Sequence, residues 1–150
     1  MNKAIVIAGP TGVGKTKISI DLAKKLNAEI ISADSAQVYK GLDIGTAKIF
    51  ENEMQGVKHH LLDIVEPISK YSVGSFEKDV NKILNTNENK NFLLVGGAGL
   101  YLNSVTNGLS ALPSADEKTR EYIFTLDNET LYNLALKYDE EATKEIHFNN

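Results

Sequence analysis

The chain has 150 residues, 42% of them hydrophobic and 24% charged, with a formal charge of −4 and no cysteine. This composition fits one globular domain, or one domain plus part of another, and excludes disulfides and any cysteine-based zinc or redox centre. The acidic balance lacks the basic stripe used by nucleic-acid-binding surfaces, which counts against nucleic acid as a partner of this stretch alone. No apolar run approaches the ~20 residues that span a bilayer, and no charged-then-apolar leader precedes the first strand. The sequence therefore predicts a cytosolic protein without membrane contact.

The first apolar run, Ala4–Ala8, leads into Gly9-Pro10-Thr11-Gly12-Val13-Gly14-Lys15-Thr16. A helical pattern follows, with Ile18, Leu22 and Leu26 at one-turn spacing. Strand, glycine-rich loop and helix is the context in which G-x-x-x-x-G-K-[ST] makes a phosphate site. The glycines let successive N–H groups point inward, and the helix N-terminus adds partial positive charge. Lys15 supplies a full charge, and the Thr16 hydroxyl is suited to a Mg²⁺ shared with phosphate oxygens. A di- or triphosphate ligand is predicted.

Residues 29–33 read as a second buried parallel strand, completing a right-handed βαβ unit. Asp34, Ser35 and Gln37 follow at its carboxyl end, where open α/β sheets bind ligands, so Asp34 should face the phosphate loop. Residues 40–55 read as a loop over that site. Residues 61–65, closed by Pro67, are a further candidate strand. Phe76, Val80, Ile83 and Leu84 mark one face of a helix. After a polar turn over 85–91, the apolar run 92–95 ends in Gly96-Gly97-Ala98-Gly99. Leu100, Leu102 and Val105 then continue a helix to Asn107-Gly108.

From Pro113 the pattern is helical. Ser114 and Glu117 are spaced as a capping box, with apolar stripes at Tyr122, Ile123, Leu126 and at Leu131, Leu134, Ala135, Tyr138. The predicted fold is α/β: a P-loop NTPase-like parallel sheet with flanking helices over 1–112, then the start of a helical segment over 113–150. Three or four strands is a short inventory for such a sheet, so the chain reads as the front part of a longer enzyme.

A phosphate loop alone admits ATPase, GTPase, kinase or diphosphate-leaving-group chemistry. The 92–95 strand ends in glycine where ATPases and GTPases carry a metal-binding carboxylate. Asn89-Lys90-Asn91 lacks the aspartate that reads guanine. Asp34 is then the notable carboxylate. Position alone leaves it three roles: general base, magnesium support or structural cap. His59 and His60, adjacent on a strand, point to opposite faces and are not a shared metal site, one reading as buried and one as surface. Tyr39, Tyr71 and Tyr101 could stack on a base, but at scattered spacing they read rather as packing residues.

GPTGVGKT at 9–16, ISADSAQVYKGLDIGTAK at 31–48, HHLLDI at 59–64, LLVGGAGLY at 93–101 and LPSAD at 112–116 occur in this order. Together they resemble the tRNA dimethylallyltransferase (tRNA isopentenyltransferase) family. The resemblance implies transfer of a dimethylallyl group from dimethylallyl diphosphate to N6 of an adenosine beside the tRNA anticodon. It implies that Asp34 takes the amine proton, that residues 9–16 hold the leaving diphosphate with Mg²⁺ on Thr16, and that Asp34, Ser35, Ala36 and Gln37 line the approach of the target nucleotide. The chain departs from the pattern at Ala98, where the family usually has threonine; the position stays near RNA but lacks the hydroxyl. Arg120 stands where the family has an RNA-contacting arginine, its alternative being an exposed helix arginine. His147-Phe148-Asn149-Asn150 replaces His-Pro-Asn-Asp. Expected partners are tRNA and dimethylallyl diphosphate, the expected state is a monomer, and the expected cofactor is Mg²⁺. The competing readings are a small-molecule or nucleotide kinase and a truncated module that binds nucleotide or RNA without catalysis.

Overall fold

The computed structural model describes residues 4–86, 89–109 and 116–147. The chain divides into two compact units, Met1–Ser110 and Ala111–Asn150.

The first unit contains β1 (Ala4–Ala8), α1 (Lys15–Leu26), β2 (Ala28–Ala33), β3 (His59–His60), α2 (Val73–Thr86), β4 (Asn91–Gly96) and α3 (Gly99–Thr106). The four strands form one parallel sheet in the order β1-β4-β2-β3. Strand β4 enters between β1 and β2, which places the loops after all three strands at one edge. Ligands collect at such an edge of an open sheet. Alternating side chains feed the two faces. Ile30 and Leu93 pack with Ile20, Ala23 and Val57, on the side of α1. Ile31, Phe92 and Leu94 pack with Phe76 and Val80 of α2 and Tyr101 and Leu102 of α3. The Phe76 and Tyr101 rings stack at 4.5 Å and 27°. The α2 stripe is as the sequence predicts: Phe76 and Val80 are buried, and Ile83 and Leu84 lie against them.

Two expectations need correcting. The stripe predicted for α1 is rotated: Ser19, Ile20 and Ala23 are the buried residues, Leu22 and Leu26 pack at the margin, and Ile18 is exposed. Small residues at 19 and 23, one turn apart, let the helix lie close to the sheet. The strand expected over 61–65 is also displaced. Pairing with β2 occurs at His59 and His60, opposite Ile30 and Ile31. Leu61 (φ 61°) and Asp63 (φ 54°) are left-handed, which ends the extended geometry, and Val65 meets Tyr39 only as an isolated parallel bridge.

The second unit contains α4 (Glu117–Phe124), α5 (Asn128–Tyr138) and α6 (Glu140–Thr143). Each helix opens on an aspartate whose side chain accepts from a backbone N–H: Asp116 from Thr119 at 2.7 Å, Asp127 from Thr130 at 2.7 Å, and Asp139 from Ala142 at 2.9 Å. Asp116 is thus the cap of α4, and Ser114 lies outside the described residues. Neither apolar stripe forms a core here. No residue of α4 or α5 is buried, and Tyr122, Phe124 and Tyr138 are exposed.

Candidate functional site

The phosphate loop begins where β1 ends, and Gly9 N–H donates to the Gly96 carbonyl at 3.3 Å, joining it to the end of β4. Gly12 (φ 85°) and Gly14 (φ 88°) are both left-handed, a conformation any side chain would strain. Gly14 caps α1 without a side-chain bond, and the first turn of the helix carries no acidic residue. Its positive dipole end is therefore not offset locally. Among the described residues the N–H groups of residues 12–15 have no backbone acceptor. Lys15 Nζ donates to the carbonyls of Gly9 and Pro10, both at 2.7 Å. Donors converging around a curled loop form an anion-binding concavity.

A cavity of about 330 Å³ opens over this loop. Its lining includes Thr11, Gly12, Gly14, Lys15 and Thr16 of the loop and first turn, and Asp34 and Gln37 beyond β2. It also includes Thr46, Ala47 and Ile49 of the long loop, together with Gly96, Gly97, Ser19, Ser32 and His59. The volume lies within the usual range for small-molecule sites. Asp34 and the phosphate loop thus face one space, as their places at the carboxyl ends of parallel strands predict.

The half-buried Asp34 uses Oδ1 to accept from Ala36 N–H at 2.9 Å and Gln37 N–H at 3.2 Å. This turn fixes its carboxylate, but residues 35–38 form a turn and not a helix, so Asp34 is not a helix cap. Oδ2 has no hydrogen-bond partner among the described residues. Ser35 is exposed and Ala36 half-buried on the same turn. Gln37 is engaged at both ends: Nε2 donates to the Thr46 carbonyl at 3.0 Å, and Oε1 accepts from Ser32 Oγ at 3.3 Å. It braces the 40–55 loop, which forms a wall of the cavity as predicted. Val13 and Pro10 are exposed on the phosphate loop. Ala98 precedes α3 as its cap residue with no side-chain bond, and Arg120 is exposed on α4 of the second unit.

Several residues that shape the site carry no sequence signal beyond the loop pattern. A Cβ on Gly96 would lie 2.1 Å from the Ala33 carbonyl oxygen, so β4 and β2 can be this close only with glycine there. A Cβ on Gly97 would lie 3.0 Å from the Gly9 carbonyl oxygen. His59 and His60 are both half-buried, so neither is the buried residue nor the surface residue expected of the pair. His59 Nδ1 donates to the Val57 carbonyl at 2.9 Å, which in the neutral ring leaves Nε2 as an acceptor. Burial lowers its pKa and nearby His60 acts the same way, only partly opposed by the bond to Val57. His60 Nε2 meets Glu29 Oε2 at 2.6 Å, at the opposite end of the sheet from the phosphate loop. Among the described residues no cluster of three His, Cys, Asp or Glu side chains could hold a metal ion, and no helix is long and apolar enough to cross a membrane. Of the tyrosines, Tyr101 packs in the core and Tyr71 donates to Asp79 Oδ2 at 2.7 Å.

The chain resembles known proteins along its whole length. It is 81% identical over 150 residues to the tRNA dimethylallyltransferase of Fusobacterium nucleatum subsp. nucleatum, covering 100% of this chain and 50% of that protein. It is 44% identical over 157 residues to the tRNA dimethylallyltransferase of Macrococcus caseolyticus, again covering 100% of this chain and 50% of the relative. Among solved structures, the full-length tRNA isopentenylpyrophosphate transferase of Bacillus halodurans matches with a TM-score of 0.71 at 42% identity, over 99% of this chain and 51% of that one. A eukaryotic dimethylallyltransferase acting on tRNA matches with a TM-score of 0.87 at 33% identity, over 100% of this chain and 39% of that one. The chain thus spans about half the length of the curated relatives it matches. The IPP transferase family model matches residues 37–150, and with this coverage and identity the chain belongs to the IPP transferase family.

Proposed function

We propose that the protein transfers a dimethylallyl group from dimethylallyl diphosphate to N6 of an adenosine beside the anticodon of a tRNA. The observation that carries this reading is the shared cavity, with a carboxylate held across from an anion-binding loop, in a chain whose relatives are named as tRNA dimethylallyltransferases. Those names favour group transfer over the kinase and binding-module readings.

The allylic C–O bond breaks with its electron pair leaving on the diphosphate, a C–N bond forms, and N6 loses a proton. An adenine amine is a weak nucleophile, so proton removal must accompany bond formation. Asp34 receives that proton, its unshared Oδ2 being the available oxygen. The N–H groups of residues 12–15 and the Lys15 ammonium stabilise charge growing on the leaving group. Lys15 exchanges its bonds to Gly9 and Pro10 for phosphate oxygens. Thr16, an exposed residue that lines the cavity and whose hydroxyl has no hydrogen-bond partner among the described residues, would supply an oxygen ligand to a Mg²⁺. When bound, Mg²⁺ neutralises diphosphate charge. Ser35 and Ala36 border the approach of the target base, which is unstacked to enter, at a cost of a few kcal/mol. Gln37 acts there chiefly through the loop it braces, while Ala98 and the Arg120 guanidinium are candidate RNA neighbours. The segment 1–112, as read from the sequence, would carry the catalytic core and 113–150 would begin a helical tRNA-contacting part, in a cytosolic, monomeric enzyme.

The test is to incubate the full-length protein with dimethylallyl diphosphate and unmodified tRNA and to detect the modified adenosine by mass spectrometry. Asp34→Ala should lower turnover by roughly 10²–10⁴-fold, the usual contribution of a general base, while diphosphate binding persists. Near-normal turnover in that variant refutes the base assignment, and no product from the parent protein refutes the reaction.

A further inference from the structure

The buried polar cluster outside the phosphate loop centres on Lys48. This lysine is only 5% exposed, unusual for an unpaired or solvent-facing cation. Its ammonium has three donors and meets three acceptors: the Tyr39 carbonyl at 2.7 Å, Asp43 Oδ1 at 2.8 Å, and Asp63 Oδ1. These belong to separate parts of the long loop between β2 and α2. Asp63 N–H donates to the Gln37 carbonyl at 3.2 Å and Lys40 N–H to the Val65 carbonyl at 2.9 Å, so the two ends of the loop are zipped together. Lys48 ties the middle of the loop to both ends.

Adjacent to it, Ala47 is left-handed (φ 49°), as is Asp63 (φ 54°). Non-glycine residues persist in that conformation only where their surroundings hold them, and such strain gathers at functional sites. Ala47 and Thr46 are cavity wall. Removing the ammonium would leave the Asp43 and Asp63 carboxylates, which it brings together, repelling one another beside that wall.

We infer that Lys48 is a positioning residue for the proposed transfer: it holds the 46–47 wall against the diphosphate-binding cavity, without touching the reacting atoms. The inference rests on the reading of this cavity as the prenyl-donor site. A misplaced wall weakens capture of the donor, and displacements of about 1 Å are worth up to roughly 10²-fold in such sites. A merely structural lysine behaves differently, since its loss lowers the active fraction and apparent kcat but leaves KM alone.

The experiment compares full-length parent protein with Lys48→Met, Asp43→Asn and Asp63→Asn. It measures kcat and KM for dimethylallyl diphosphate, and in parallel the Kd of inorganic diphosphate by calorimetry. The two asparagine variants alter half-exposed side chains, so they carry the test if Lys48→Met does not fold. Lys48→Met should raise KM by about tenfold or more with kcat within about threefold, and each asparagine variant should raise it by a smaller factor. Unchanged KM in the folded variants overturns the inference. If the parent protein transfers no dimethylallyl group, the proposed function fails by itself. The positioning role is then decided by the diphosphate Kd: about tenfold weaker binding in the variants upholds it, and equal binding overturns it.

Discussion

Gly96 offers the sharpest test of how the fold builds the site. An alanine Cβ there would stand 2.1 Å from the Ala33 carbonyl oxygen, 2.6 Å from its carbonyl carbon and 2.8 Å from its Cβ. Ordinary carbon–oxygen contacts begin near 3.3 Å, so relief requires roughly 1 Å of separation between the two strands. The obstacle is backbone, and Ala33 is fully buried at 0% exposure, so no side chain can swing aside. Overpacking a tight interior costs typically 1–3 kcal/mol and occasionally more. A clash with a central strand belongs at or above the top of that range, so Gly96→Ala should destabilise by about 3 kcal/mol. At 2–4 °C per kcal/mol for a chain of this size or larger, Tm should fall by about 6–12 °C. Thermal melts followed by circular dichroism read that shift, and urea titration with an unchanged m-value confirms that stability alone has moved. Because the Gly96 carbonyl also accepts from Gly9, diphosphate affinity should fall with it. A Tm within about 2 °C of the parent would refute the reasoning, showing that the spacing of β2 and β4 does not depend on glycine.

Phe76→Ala removes a ring that is 1% exposed and stacked on Tyr101, and should cost about 3–5 kcal/mol by urea denaturation; a loss under about 1 kcal/mol would mean the α2–α3 layer collapses to fill the space. Glu29 makes a pH prediction. Burial alone would raise its pKa, but the His60 hydrogen bond and the charges of Lys58, His60 and Lys90 outweigh it and leave the carboxyl below its ordinary 4.5. A depressed carboxylate contributes stability above the unfolded-state value that is lost as pH falls through the folded value. The urea midpoint should therefore decline below pH 4.5, and Glu29→Gln should flatten that decline and lower the midpoint at neutral pH. Identical pH profiles for the two proteins would contradict the assignment.

Much of the site is local in origin, and so legible in the chain. Residues 9–16 need only a preceding strand, left-handed glycines and a following helix to take their curled form. Asp34 needs only to follow β2. Two such features meet because parallel strands deliver their carboxyl ends to one edge, whatever the details of packing. The Phe76, Val80, Ile83, Leu84 stripe is legible for the same reason, since helical periodicity sorts those side chains to one side. The stripe on α1 misleads because apolar spacing reports hydrophobicity and not approach distance. At Ser19 and Ala23 the sheet comes close enough to select small residues over Ile18.

Other features arise only when distant segments meet. Gly96 is required by Ala33, 63 positions earlier in the chain. His60 finds Glu29, and His59 enters the cavity, through a two-residue strand no periodicity could reveal. Lys48 looks in sequence like any loop lysine, and becomes a buried brace only because Tyr39, Asp43 and Asp63 converge on it.

The sequence by itself determined the glycine-rich loop at the start of α1, the carboxylate at the end of β2, the parallel α/β layer and the family, because each is written in short runs whose geometry follows from backbone preference and strand order. Tertiary structure alone decided which helix face is buried, where the third strand pairs, how close β2 and β4 stand, and what holds the long loop over the cavity. Those depend on distances between residues far apart along the chain, and such distances exist only once the chain has packed.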